Sequence, residues 1–133
     1  MTTYVDSSAL LKRYVDEPDS SRAEELLAAD PVLATGKHTI VEVRRNLSRL
    51  LAGDEYQRAR SAFFDDIDRL ALIDLDGRTV ELAATAAELT GARTLDALHL
   101  GAAQRLGTGV PLLTFDVRLG RAASELGFTV LGA

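Results

Sequence analysis

Four acidic residues stand in segments where apolar patterning changes. They are Asp6 in "TYVDSSALL", Glu42 in "TIVEVRRNL", Asp96 in "TLDALHLGAA" and Asp116 in "LLTFDVRLG". Asp6 directly follows Tyr4-Val5, and Asp116 directly follows the apolar run that ends at Phe115. A strand end is a costly place for a charge unless something there binds it. A set of oxygen ligands without His or Cys suits a hard cation, Mg²⁺ or Mn²⁺, rather than zinc. A carboxylate-held ion can activate water and stabilise the charge that develops in phosphodiester cleavage.

Each acid also has a purely structural explanation. Asp6 and Asp116 could cap the helices that follow them. Asp96 could favour the positive end of a helix dipole, worth about 0.3–1 kcal/mol. Glu42 could make solvated pairs with Arg45 or Arg49 on one helix face. Repulsion makes a gathering of all four informative. Two carboxylates about 4 Å apart repel by roughly 1 kcal/mol in water and about 4 kcal/mol at an effective dielectric of 20. Four together would cost a sizeable part of a small domain's roughly 5–15 kcal/mol of stability. Such a cluster needs a counter-charge.

The elements that must position these acids alternate between strand and helix. Thr2–Val5 reads as a first strand, followed by a helix over Ser7–Val15 that the turn "DEPDS" stops. Ser20 or Ser21 reads as the cap of a second helix running to Ala29, and "PVLAT" as a second strand. Ile40, Val43, Leu47, Leu50 and Leu51 recur at helical spacing, which predicts a long helix from about His38 to Ala52. Asp54 reads as the cap of a further helix to about Arg69. "LALIDL" is a third strand, and an alanine-rich helix closes at Gly91. A helix from Thr94 to Gly107 carries Asp96. "VPLLTFD" is a fourth strand, "VRLGRAASELG" its helix and "FTVL" a fifth strand. Short apolar strands with helices between them imply an α/β fold, a three-layer α/β/α sandwich around a central, mainly parallel five-stranded sheet. In such a sheet, ligands bind outside the carboxyl ends of the strands. Asp6 and Asp116 fall at that edge.

Composition narrows the classes. The chain has 133 residues, 47% hydrophobic and 26% charged, which fits one globular domain over 1–133. No apolar run approaches the roughly 18–20 residues of a bilayer span, and no signal-peptide pattern opens the chain, so the expected setting is the cytoplasm. Without cysteine there is no disulfide, thiolate metal site or Cys nucleophile. A net charge of −5 argues against an indiscriminate nucleic-acid coat but not against an enzyme acting on nucleic acid.

"YVDSSALLKRYVDEP", "TIVEVRRNL", "TLDALHLGAA" and "LLTFDVRLGRAASELGFTVL" together resemble the signature segments of PIN-domain proteins, in order and over nearly the whole chain. The short single-domain form is similar to VapC, the toxin of VapBC toxin–antitoxin pairs. The resemblance implies a Mg²⁺- or Mn²⁺-dependent endoribonuclease that hydrolyses RNA with metal-activated water. Its acids would be Asp6, Glu42, Asp96 and Asp116, with Asp6, Asp96 and Asp116 on the metal. Ser8 and Thr114 would be supporting hydroxyls. The resemblance further implies a homodimer, silenced by a VapB-like antitoxin. Val117, Arg118 and Leu119 stand where some relatives carry a further acid, which argues against a firmly held second ion.

Other residues have plainer readings. His99 is expected to be a packed, hydrogen-bonded neighbour of the site, and His38 to sit in solvent at a helix start. Arg93, Lys12, Arg13, Arg44 and Arg45 could ring a groove, with Arg93 the substrate-contact candidate. Phe63, Phe64 and Tyr56 suggest helix packing or a partner contact. Ser7 and Ser8 have no histidine placed for a triad, so serine catalysis is rejected. Two alternatives compete with the nuclease. One is a non-catalytic PIN-like module that binds RNA or protein. The other is a receiver-like Mg²⁺-binding phosphoacceptor domain, which would need paired acids by the first strand and a late lysine; the only lysines are Lys12 and Lys37.

Overall fold

Alternation along the first strand decides the architecture. A computed structural model describes residues 1–133, and in it strand β1 spans Thr2–Val5. Successive side chains of a strand point to opposite faces, so neighbouring Tyr4 and Val5 enter different cores. Both are almost wholly buried. A strand apolar on both faces needs cover on both, and seven helices supply it.

The strands are β1, β2 (Val32–Gly36), β3 (Ala71–Ile73), β4 (Leu112–Thr114) and β5 (Val130–Gly132). They lie in the order β3-β2-β1-β4-β5, and every pairing is parallel. The order turns back between β1 and β4, whose register pairs Tyr4 with Leu112 and Val5 with Leu113. That reversal opens a crevice at the carboxyl ends of the two strands. The mainly parallel α/β/α expectation holds, with the sheet parallel throughout.

The helices are α1 (Ser7–Leu11), α2 (Ser20–Ala28), α3 (His38–Leu50), α4 (Gly53–Ile67), α5 (Gly77–Thr90), α6 (Thr94–Gln104) and α7 (Val117–Glu125). Val5 packs with Leu10 of α1, Leu27 of α2, Val43 and Leu47 of α3 and Phe63 of α4. Tyr4 packs with Ala86 of α5, Leu100 and Ala103 of α6 and Leu119 and Ala123 of α7. Gly91 closes α5 at φ 75°, a left-handed cap that spares the chain a Cβ clash and turns it into α6.

Several boundaries differ from the sequence reading. The first helix ends at Leu11 rather than Val15, tightening into turns in which Lys12, Arg13 and Tyr14 donate to carbonyls three residues back. Asp19, not Ser20 or Ser21, holds the cap position of α2. Ser20 Oγ instead accepts from Glu17 N–H and donates to the Val15 carbonyl, fastening the turn. Asp54 lies inside the first turn of α4, with Ala52 at the cap.

Candidate active site

Asp6 caps α1, as its bland reading required, and it does more than cap. Oδ1 accepts from Ala9 N–H at 2.9 Å. Ser8 Oγ lies 2.8 Å from both carboxylate oxygens, and Thr114 Oγ1 donates to Oδ2 at 2.6 Å. The residue is 2% exposed. Burial pushes its pKa up, against the opposing pull of His99 and of the donors Thr114, Ala9 and Ser8. The two hydroxyls also join β1 to β4. Ser8 Oγ accepts from Phe115 N–H, and Thr114 Oγ1 accepts from Asp116 N–H. Asp116 in turn caps α7, accepting from Arg118 and Leu119 N–H.

Asp96 caps nothing. It stands in the first turn of α6. Burial raises its pKa most, and the charge of Asp116 raises it further. Asp6 and Glu42 add to the rise, and only His99 opposes it. Asp96, Asp116 and Glu42 line one cavity of about 460 Å³ together with Arg93 and Arg118. A second cavity of about 250 Å³ shares Arg93, Asp96 and Arg118 and adds Arg121. The four acids from distant segments therefore feel one another at one sheet edge. The three aspartates do not bring their oxygens as close together as the His38–Glu42–His99 group does, and Asp6 lies outside the cavity lining.

Glu42 departs from its expected arginine pairs. Oε1 accepts from His99 Nε2 at 2.8 Å, and His38 Nε2 lies 3.7 Å away. Burial pushes Glu42 up, but the hydrogen bond and charge of His99, with His38 behind it, outweigh burial and hold its pKa below the usual range. His99 is thus the buried neighbour expected of it, and its Nδ1 meets Tyr4 Oη at 2.7 Å. Tyr4 Oη also accepts from Gly36 N–H. A carboxylate only accepts, so in neutral His99 Nε2 carries the proton and Tyr4 donates to Nδ1.

His38 corrects the sequence reading outright. It is 8% exposed rather than solvated, and neither ring nitrogen has a hydrogen-bond partner. An unpartnered buried polar group costs about 1–3 kcal/mol. Burial and the neighbouring His99 lower its pKa to about 4, against weaker pulls from Glu42 and the Leu95 carbonyl. The missing side chain of Gly36 makes the room, since a Cβ there would lie 2.6 Å from His38 Cε1. The i,i+4 spacing of His38 and Glu42 was the signal in the sequence.

Of the five basic residues considered, Arg93 alone lines the acid cavity. Lys12 pairs with Glu17 and Arg13 with Asp66, while Arg44 lies over the Phe64 ring. Arg118 and Arg121 went unnoticed because α7 brings them in from the last helix. Phe63 is core, and Phe64 is partly exposed.

Similarity to known proteins identifies the family. The PIN domain family profile matches residues 3–125. Ribonuclease VapC46 of Mycobacterium tuberculosis is 36% identical over 129 residues, covering 96% of this chain and 95% of that protein. Ribonuclease VapC47 of the same species is 31% identical over 128 residues, covering 94% and 92%. Among solved structures, DNA-bound VapBC from Salmonella typhimurium aligns over 98% of each chain with a TM-score of 0.72 and 14% identity, a likeness of fold.

Proposed function

This chain belongs to the PIN-domain family, and on that footing we propose that it is an endoribonuclease of the VapC type, a single PIN domain acting as the toxin of a toxin–antitoxin pair. The observation that carries the proposal is the gathering of Asp96, Asp116 and Glu42 around one cavity at the β1–β4 crevice, with Asp6 buried at the end of β1. The names of its curated relatives, both ribonucleases, support the reaction class.

The donor set fits a hard divalent cation. Asp6, Asp96 and Asp116 are assigned as the residues that would hold Mg²⁺ or Mn²⁺, and the like charges of Asp116, Asp6 and Glu42 that add to the burial of Asp96 are what such an ion would offset. Bound there, such an ion supplies Lewis-acid charge and an activated water for phosphodiester hydrolysis. The chain's own residues do the rest. Ser8 and Thr114 lock the Asp6 carboxylate in one orientation through bonds of 2.8 and 2.6 Å. His99 fixes Glu42 at 2.8 Å, leaving its carboxylate at the cavity wall to orient or deprotonate water. Arg93 is assigned to the RNA phosphates, with Arg118 beside it.

Partners follow the same reading. The structural neighbour from Salmonella is a VapBC complex, and a VapB-like antitoxin is the inhibitor assigned to this chain. Exposed Val41, Leu50 and Phe64 on α3 and α4 offer apolar surface for the homodimer or the antitoxin. No helix is long and apolar enough to cross a membrane, and the cytoplasm is the proposed setting.

Incubating the purified chain with total cellular RNA tests the reaction. Cleavage that requires Mg²⁺ or Mn²⁺, stops with EDTA and disappears in folded Asp96→Asn is the expected result. Intact RNA after long incubation with either ion, alongside tight RNA binding, would instead favour a non-catalytic module.

A further inference from the structure

We infer that His38, Glu42 and His99 form a second cation site, selective for a borderline transition metal such as Zn²⁺, Co²⁺ or Ni²⁺ and sharing only Glu42 with the lining of the aspartate pocket. This goes beyond the ribonuclease reading and stands without it.

The chain contains two histidines and no cysteine. Those two histidines, 61 positions apart in sequence, meet with ring centroids 4.1 Å apart, and one Glu42 oxygen lies near the Nε2 of each. One ligand atom from each of His38, Glu42 and His99 can be chosen so that all three lie within 4.8 Å of one another. A tetrahedral zinc ion with bonds of about 2.0–2.1 Å sets its ligand atoms about 3.3 Å apart. Glu42 Oε1 stands 2.8 Å from His99 Nε2 and 3.7 Å from His38 Nε2, spacings on either side of that value. Small movements of the Glu42 side chain and of the imidazole rings would close the set.

A second observation points the same way. The His38 side chain is 7% exposed, yet both its nitrogens lack partners. A histidine in the core for packing alone would leave that loss uncompensated, whereas a metal bond would satisfy one nitrogen and leave the other's proton for the Leu95 carbonyl. The ring is also neutral at physiological pH, with its pKa near 4, so it offers a lone pair without first losing a proton. His99 is braced as a ligand would be, with its outer nitrogen on Tyr4 Oη at 2.7 Å. The tyrosine hydroxyl can donate to Nδ1 or accept from it. When it accepts, the ring proton moves to Nδ1 and Nε2 is freed for a cation. Glu42 faces the acid cavity, which gives an ion its way in.

Ligand softness separates this site from its neighbour. Imidazole nitrogen suits zinc, cobalt and nickel, while carboxylate oxygen alone suits Mg²⁺. Two neutral imidazoles and one carboxylate leave a bound divalent ion with one net positive charge, which the nearby aspartates face.

Equilibrium dialysis of Zn²⁺ against tag-free chain in millimolar Mg²⁺ tests the proposal, read together with ¹⁵N signals of both imidazoles. We expect one Zn²⁺ per chain, a shift of the Nε2 signals of both His38 and His99, and at least ~10-fold weaker binding in His38→Ala. Asp96→Asn should keep the site. The parent's imidazole signals carry the test even if His38→Ala does not fold. Unmoved imidazole signals at saturating Zn²⁺ would overturn the proposal, as would Zn²⁺ binding lost in Asp96→Asn but kept in His38→Ala. None of these readouts depends on RNA cleavage, so failure here and failure of the ribonuclease assignment are distinguishable.

Discussion

The two faces of β1 differ in what they bury. On the Val5 side the core is built from large aliphatic and aromatic groups, with Leu10, Leu27, Leu47 and Phe63 fully or almost fully enclosed. On the Tyr4 side, half of the ten core residues are alanines, so the helices approach closely. Gly101 of α6 takes this furthest: a Cβ there would lie 2.7 Å from the Ala83 nitrogen and the Thr79 carbonyl. The thinner face is also the one that admits polar groups, the Tyr4–His99–Glu42 chain. One face is sealed by bulky apolar groups, and the other carries a buried polar chain from Tyr4 to the crevice.

That division makes unequal predictions for substitutions on its two sides. The largest effect is expected at the crevice, where Asp96→Asn should lower RNA cleavage by about 10²–10⁴-fold while the chain stays folded. A rate assay beside circular dichroism checks both halves, and unaltered cleavage would break the contrast. On the Val5 face, Leu10→Ala should cost about 2–5 kcal/mol in urea unfolding and leave the rate of the folded fraction unchanged. Tyr4→Phe sits between the two. It leaves Gly36 N–H and His99 Nδ1 without their partner, at a cost of about 1–3 kcal/mol. Unlike Leu10→Ala, it should also slow cleavage by loosening the histidine that holds Glu42.

The smallest effect is one of pH and sharpens the electrostatic side of the comparison. Asp96 has a folded pKa above its ordinary value, so its contribution to stability is present at low pH and lost as pH rises through the folded value. Asn has no such dependence. In EDTA, Asp96→Asn should therefore melt a few degrees above the parent at neutral pH, and the gap should close on acidification. Asp116, Asp6 and Glu42 raise the Asp96 pKa and His99 opposes them, so replacing Asp116 with Asn should narrow the gap too. A constant gap across pH would show that Asp96 is not under like-charge strain.

The sequence disclosed the fold well because its signals were local. Apolar runs marked the strands, and a charge directly after a run marked the carboxyl edge of the sheet at Asp6 and Asp116. What stayed hidden depended on contacts between distant segments. Beyond its i,i+4 spacing to Glu42, nothing near His38 announces that α3 begins turned toward α6, nor that Gly36 clears a space for its ring. Glu42 sits three and seven residues before Arg45 and Arg49, which made helical ion pairs the natural expectation, yet a histidine 57 positions away takes its oxygen. Arg118 and Arg121 reach the pocket only because Asp116 caps α7 beside it.

A Mn²⁺ titration followed by electron paramagnetic resonance addresses the central claim, that Asp6, Asp96 and Asp116 share one divalent ion. The account predicts that the parent depletes the free Mn²⁺ signal, that Mg²⁺ restores it by competition, and that Asp6→Asn, Asp96→Asn and Asp116→Asn each leave it close to that of the ion in buffer. Depletion by all three variants equal to the parent's, or none by the parent, would contradict it.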